Sequence, residues 1–115
     1  MTDRTLTVTS RPHPLGAFVI RVSGELDHHT APRFREAIQE APFASGERMV
    51  LDLTPLVYCD STGITVLIAA YHRAQSTGAH LILVGPSPDL MRVFRVVGID
   101  QLFTFRASVE EALDS

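Results

Sequence analysis

At 115 residues, 45% of them hydrophobic and 20% charged, the chain is the size of one domain with enough apolar side chains for a real core. A formal net charge of −3, with ten basic residues scattered along the chain, excludes a nucleic-acid binder, which needs clustered cations to displace counterions. The single Cys59 excludes an intrachain disulfide and fits a reducing cytosol, residues 1–5 lack a signal-peptide core, and the longest nearly apolar run, Ile64 to Tyr71, falls far short of the about 20 residues that cross a membrane.

Thr5 to Thr9 alternates polar and apolar residues, the pattern of a half-buried strand. Two prolines and a glycine in Arg11 to Gly16 predict a turn, and Ala17 to Ser23 a second strand paired with the first as a hairpin. Thr30 is placed as the N-cap of a helix that tolerates Pro32 in its first turn. Phe34, Ala37, Ile38 and Ala41 give that helix one apolar face, and Pro42, Ser45 and Gly46 close it. Met49 to Leu53 is nearly continuous in apolar residues, as expected of a central strand covered on both faces.

After a loop, a long helix follows Gly63, apolar over most of its first turns and ended by Gly78. His80 to Val84 is another buried strand. Ser87-Pro88-Asp89 opens a helix whose inner face is Leu90, Val93, Phe94 and Val97. Leu102 to Phe105 reads as a short edge strand, and Ser108 to Glu111 as a capping box before a last helix. The predicted fold is α/β: a four- to five-stranded mixed sheet with about four helices, folded as a single cytoplasmic domain over residues 1–115.

The cluster Asp60-Ser61-Thr62-Gly63 stands out: an acid, two hydroxyls and a glycine at the mouth of an apolar helix. A helix start leaves backbone N–H groups unpaired and carries partial positive charge, so an anionic oxygen group, a phosphate included, is tolerated there. Simple N-capping explains one of these side chains but not the whole cluster. Three other chemistries fit poorly. Cys59 to Gly63 has the Ser-x-Gly half of a hydrolase elbow, but Cys59 replaces the first glycine. No acid lies between Ser61 and the later His72 and His80, so the order serine, acid, histidine fails. His28 and His29 are adjacent rather than one helical turn apart, and no Cys-x-x-Cys exists, so no metal site is expected. There is no glycine-rich phosphate loop, hence no nucleotide or other cofactor of the chain's own.

Two segments carry a resemblance. Gly24-Glu25-Leu26-Asp27-His28-His29-Thr30-Ala31 follows the second strand, and Asp60-Ser61-Thr62-Gly63-Ile64 follows the third. From about Ala17 to Leu113 the chain resembles the STAS-domain anti-sigma factor antagonists of bacterial partner-switching systems. The resemblance implies a non-enzymatic protein that binds an anti-sigma factor, itself a serine kinase of the histidine-kinase-like ATPase fold, and so frees a sigma factor. It implies that the kinase phosphorylates Ser61, that binding is then lost, and that a metal-dependent serine phosphatase restores it. Asp27 matches a family acid beside the acceptor, Thr62 the second hydroxyl, which is not the usual acceptor, and Asp60 and Gly63 complete the acceptor-adjacent, partner-binding set. Ile64 and Thr65 depart from the family's frequent Leu and Gly, and Tyr58-Cys59 is a hydrophobic variation. The competing expectation is a scaffold subunit of a stress-signalling or transport complex that does not switch. On the first expectation Ser61 is exposed at a helix N-terminus and Asp27 lies close to it.

Overall fold

The computed structural model describes residues 6–114. Strands β1 (Leu6–His13) and β2 (Ala17–Leu26) form the predicted antiparallel hairpin, in register from Leu6 opposite Gly24 to His13 opposite Ala17. The first residue of the expected strand, Thr5, lies outside the described residues. The turn is shorter than its prolines suggest, because β1 runs on through Pro12 to His13. β1 is an edge strand, where a residue without an N–H to give is tolerated.

Helix α1 (Ala31–Glu40) leads to β3 (Arg48–Asp52), parallel to the first half of β2. Then come β4 (Leu56–Cys59), α2 (Ser61–Thr77), β5 (His80–Val84), α3 (Pro88–Val96), β6 (Thr104–Arg106) and α4 (Val109–Leu113). The sheet order is β1-β2-β3-β5-β6, with β4 paired to β2 alone. The mixed α/β architecture is the one predicted, with one strand more. The sequence pattern marks 54–59 as loop, because Thr54 and Pro55 break it and only four residues follow. β4 forms because β2 outlasts β3: beyond Arg21, opposite Asp52, the edge of β2 is open, and Gly24 to Leu26 pair in parallel with Leu56 to Cys59. The last strand lies slightly later than expected, at Thr104–Arg106.

The strand pleat sorts side chains into two layers. Ile20, Val22, Met49, Leu51, Leu81 and Leu83 face α1, α2 and α3, which contribute Phe34, Leu67 and Phe94 to one continuous core. On the other face Val19, Val50, Ile82 and Val84 pack under Ala112 and Val109 of α4. This two-sided cover explains why β3 is apolar throughout. Phe94, Phe103 and Phe105 meet ring to ring at 5.9–6.2 Å between centroids, fixing α3 over the β5–β6 edge. Arg73 of α2, on a stretch that reads as solvent-facing, turns inward. It donates to the carbonyls of Ile38 and Ala41 at the end of α1 and lies 4.5 Å above the Phe43 ring, locking the two helices together.

Candidate functional site

The parallel strands β2 and β4 end side by side, and the loops leaving them form the site. Asp60 is the N-cap of α2, with extended backbone. Its Oδ1 accepts from the backbone N–H of Thr62 at 2.9 Å and of Gly63 at 3.2 Å. Its Oδ2 accepts from the N–H of His28, at 3.1 Å, in the β2–α1 turn. The Asp60 N–H donates to the carbonyl of Leu26 at 3.0 Å. One aspartate therefore caps the helix and ties both loops together.

With the cap supplied by Asp60, the hydroxyl of Ser61 is left over. Ser61 is the first residue of α2, exposed, and its side chain makes no hydrogen bond among the described residues. Its carbonyl accepts from the Thr65 hydroxyl at 3.0 Å, so the departure at Thr65 pins the first turn from outside. Thr62 is half-buried beside it. Gly63 is buried: a Cβ there would sit 2.6 Å from Leu26 Cγ and 2.8 Å from Cys59 Sγ. It therefore belongs to the packing beneath the helix start, close to Ser61 in the chain. The absent side chain lets the mouth of α2 rest directly on β2 and β4.

Asp27 lies in the neighbouring turn, between Leu26 and His28, both bonded to Asp60. Its carboxylate, however, is spent on its own turn: Oδ1 accepts from the N–H of His29 at 2.9 Å and of Thr30 at 3.0 Å. The Thr30 backbone bond is the chief cause that holds the Asp27 carboxyl below its ordinary range, with the His29 backbone and Thr30 hydroxyl bonds adding to it. Thr30 occupies the predicted N-cap position of α1, but its side chain makes no capping bond. Its hydroxyl instead donates to the Glu25 carbonyl at 2.8 Å and accepts from the Asp27 N–H at 2.9 Å. The turn is thus built by Asp27 and Thr30 as a pair, and the His28 N–H fastens it to the acceptor loop through Asp60.

Burial, helped by the adjacent Asp60 charge, pushes the Cys59 thiol up to about 12, so at neutral pH it is a protonated packing group and not a nucleophile. His28 and His29 are exposed, their rings edge-on with centroids 5.5 Å apart. Among the described residues no three His, Cys, Asp or Glu side chains converge on a metal position, and no helix is long and apolar enough to cross a membrane. Sequence reasoning passed over Val57 and Tyr58, which are both exposed just upstream of the acceptor loop. No signal in the sequence marks them, because 54–59 reads as loop and the strand that presents them forms only against β2.

The STAS domain model matches residues 8–112. The anti-sigma-B factor antagonist of Listeria monocytogenes is 33% identical over 87 residues, 76% of each chain. The solved anti-sigma factor antagonist of Mycobacterium paratuberculosis superposes with a TM-score of 0.77 at 28% identity, over 98% of this chain and 95% of that one. The Bacillus cell-fate determinant SpoIIAA, solved in its phosphorylated form, superposes with a TM-score of 0.71 at 26% identity, over 94% of this chain and 97% of that one.

Proposed function

This chain belongs to the STAS domain family, and from that premise we propose that it is an anti-sigma factor antagonist, switched at Ser61, in which residues 1–115 act as one cytoplasmic domain. Unphosphorylated, it binds an anti-sigma factor that is also a serine kinase of the histidine-kinase-like ATPase fold, and so releases a sigma factor. Phosphorylation of Ser61 ends that binding, and a serine phosphatase restores it. The protein is not itself an enzyme. The names of its relatives support the antagonist role, and a relative solved in a phosphorylated form supports the switch.

The observation that carries the assignment is the division of labour at the start of α2. Asp60 makes the capping bonds, so the exposed Ser61 hydroxyl can be modified without removing any hydrogen bond of the fold. Phosphate replaces a neutral hydroxyl with about −1.5 to −2 charge. The N–H groups and dipole at the helix start absorb part of it. A partner seated against Ser61 meets the rest, together with the carboxylates of Asp60 and Asp27. Two unit charges about 4 Å apart repel by roughly 4 kcal/mol at an effective dielectric of 20, and about 1.4 kcal/mol is a tenfold change in affinity. One phosphate can end the complex while the fold survives.

Intact-mass measurement after incubation with ATP and the candidate kinases of the same cell should show one added phosphate, absent in Ser61→Ala. By titration calorimetry Ser61→Ala should bind the anti-sigma factor like the unmodified protein. Ser61→Asp should bind more weakly, though less so than under true phosphorylation, since Asp carries less charge and one oxygen fewer. Thr62→Ala should still accept phosphate. Equal binding by phosphorylated and unmodified protein, or Thr62 as the sole acceptor, would refute the assignment.

A further inference from the structure

β4 has one edge on β2 and turns the other toward the start of α3. Between them lies a groove of about 230 Å³, lined by Val57 and Tyr58 of β4 and by Ser87, Leu90 and Val93 at the start of α3. It is smaller than the few hundred Å³ of a metabolite pocket and suits one or two apolar side chains. Its rim carries exposed apolar side chains, Val57 at 73% and Tyr58 at 53%, beside the polar Ser87 and the exposed Asp89. The same surface continues along α3, where Val96 is 79% and Val97 54% exposed. The helical pattern assigned Val93 and Val97 to the inner face of α3, yet only Leu90 and Phe94 are buried there. The valines form an outward stripe, and contiguous apolar surface of this kind marks interaction sites.

We infer that this groove is the anchoring half of the anti-sigma factor interface: it takes an aliphatic or aromatic side chain of the kinase, and the phosphate at Ser61 acts on the same complex from beside it. The inference rests on the reading of Ser61 as the acceptor. Tyr58 precedes Ser61 by three residues, so with 3.8 Å between consecutive Cα atoms it lies at most about 11 Å away. A stable interface covers roughly 800 Å² per partner, a disc about 16 Å in radius. A footprint of this size centred on Ser61 reaches Tyr58, and Cys59, two residues from Ser61, also lines the groove. The residues flanking Ser61, and those of the turn fastened to Asp60, are polar: Asp60 and Thr62, and Asp27, His28 and His29. Binding energy in such interfaces concentrates in desolvated apolar pockets with a polar rim, and the groove is the apolar pocket within reach.

The two halves should be separable. Apolar contact is indifferent to charge and salt, whereas the phosphate effect is electrostatic and screened. Tyr58→Ser and Val93→Ser change exposed side chains and should leave the melting temperature in place. Titrated with the purified anti-sigma factor kinases of the same cell, each variant should bind at least tenfold more weakly than the parent. The loss should be the same at about 0.05 and about 0.5 M salt. The ratio of affinities between unmodified and phosphorylated protein should stay within about threefold of the parent ratio, as expected for independent contributions. Should the parent bind and switch while both variants bind as it does, the groove is not the anchor, and the Ser61 assignment stands. Should the parent bind none of these kinases, both fall. A parent that sediments as a dimer, with variants that are monomers of undiminished kinase affinity, would assign the groove to a second copy of the chain and overturn the inference.

Discussion

Ser61 and Asp60, adjacent in the chain, have opposite duties. Asp60 is held by three backbone N–H groups and holds the helix and the neighbouring turn in return; Ser61 holds nothing with its side chain. The residue whose chemistry can change is the one on which the fold does not depend. Asp27 is closer to Asp60 in character. Its carboxyl sits below its ordinary range, chiefly through the Thr30 N–H, so the folded state binds its proton less tightly than the unfolded chain does. The stabilisation is therefore fully present above the ordinary value of 3.8 and is lost as pH falls through the lower folded value. Asp27→Asn removes this acid-labile contribution. Its melting temperature should fall less steeply than the parent's on acidification from about pH 5 to about pH 2. Identical acid limbs would show that the turn is held without the Asp27 charge. Asp27→Asn should also slow phosphorylation or weaken partner binding, because it loosens the turn that His28 fastens to Asp60.

At the scale of elements, the site depends on how closely α2 approaches the sheet. Leu26, Cys59 and Gly63 form the contact, and the glycine sets the distance. Gly63→Ala gains about 1 kcal/mol of helix propensity. Against this, a methyl 2.6 Å from Leu26 Cγ and 2.8 Å from Cys59 Sγ forces buried side chains to move, at a cost of about 1–3 kcal/mol. Overpacking wins, and urea denaturation should show a lower midpoint. Leu26→Ala in the same chain should recover part of that specific loss when compared with Leu26→Ala alone. A midpoint equal to or above the parent's would mean that the helix start slides without cost. The other elements behave more locally. Ser87 caps α3 through the N–H of Leu90 at 3.2 Å, as its Ser-Pro-Asp sequence predicts. Ser108 likewise caps α4 through Glu111 N–H at 3.1 Å, but Glu111 reaches back to the Ala107 N–H, one residue before the partner a full capping box would use.

Across the whole molecule the two faces of the sheet are unequally covered. Three helices protect one, and the five-residue α4 carries the protection of Val19, Val50, Ile82 and Val84 on the other. A chain ending at Arg106 would uncover these four side chains at a cost on the order of 3 kcal/mol. For a domain of this size that is a fall of about 10 °C or more in melting temperature. Differential scanning calorimetry with a dye for exposed apolar surface would test it. An unchanged melting point without dye binding would show that the back face tolerates water. Phosphorylation should have no such effect, since its charge lands on the exposed start of α2 and not on either layer.

The chain's own pattern determined the elements, their order and the place of the polar cluster, because caps, glycine stops and apolar periodicity act within a few residues of one another. It located α1, α2, β5 and α3 and put Ser61 at a helix start. It did not determine which member of the cluster caps, because the competition is settled by His28, a partner 32 residues away that engages the second oxygen of Asp60. Nor could it show β4, whose four residues become a strand only where β2 extends past β3, or the burial of Gly63, which depends on Leu26 approaching from another strand. The tertiary structure decided these, and with them the exposure of Ser61, because each is a contact between segments that meet only when the sheet is assembled.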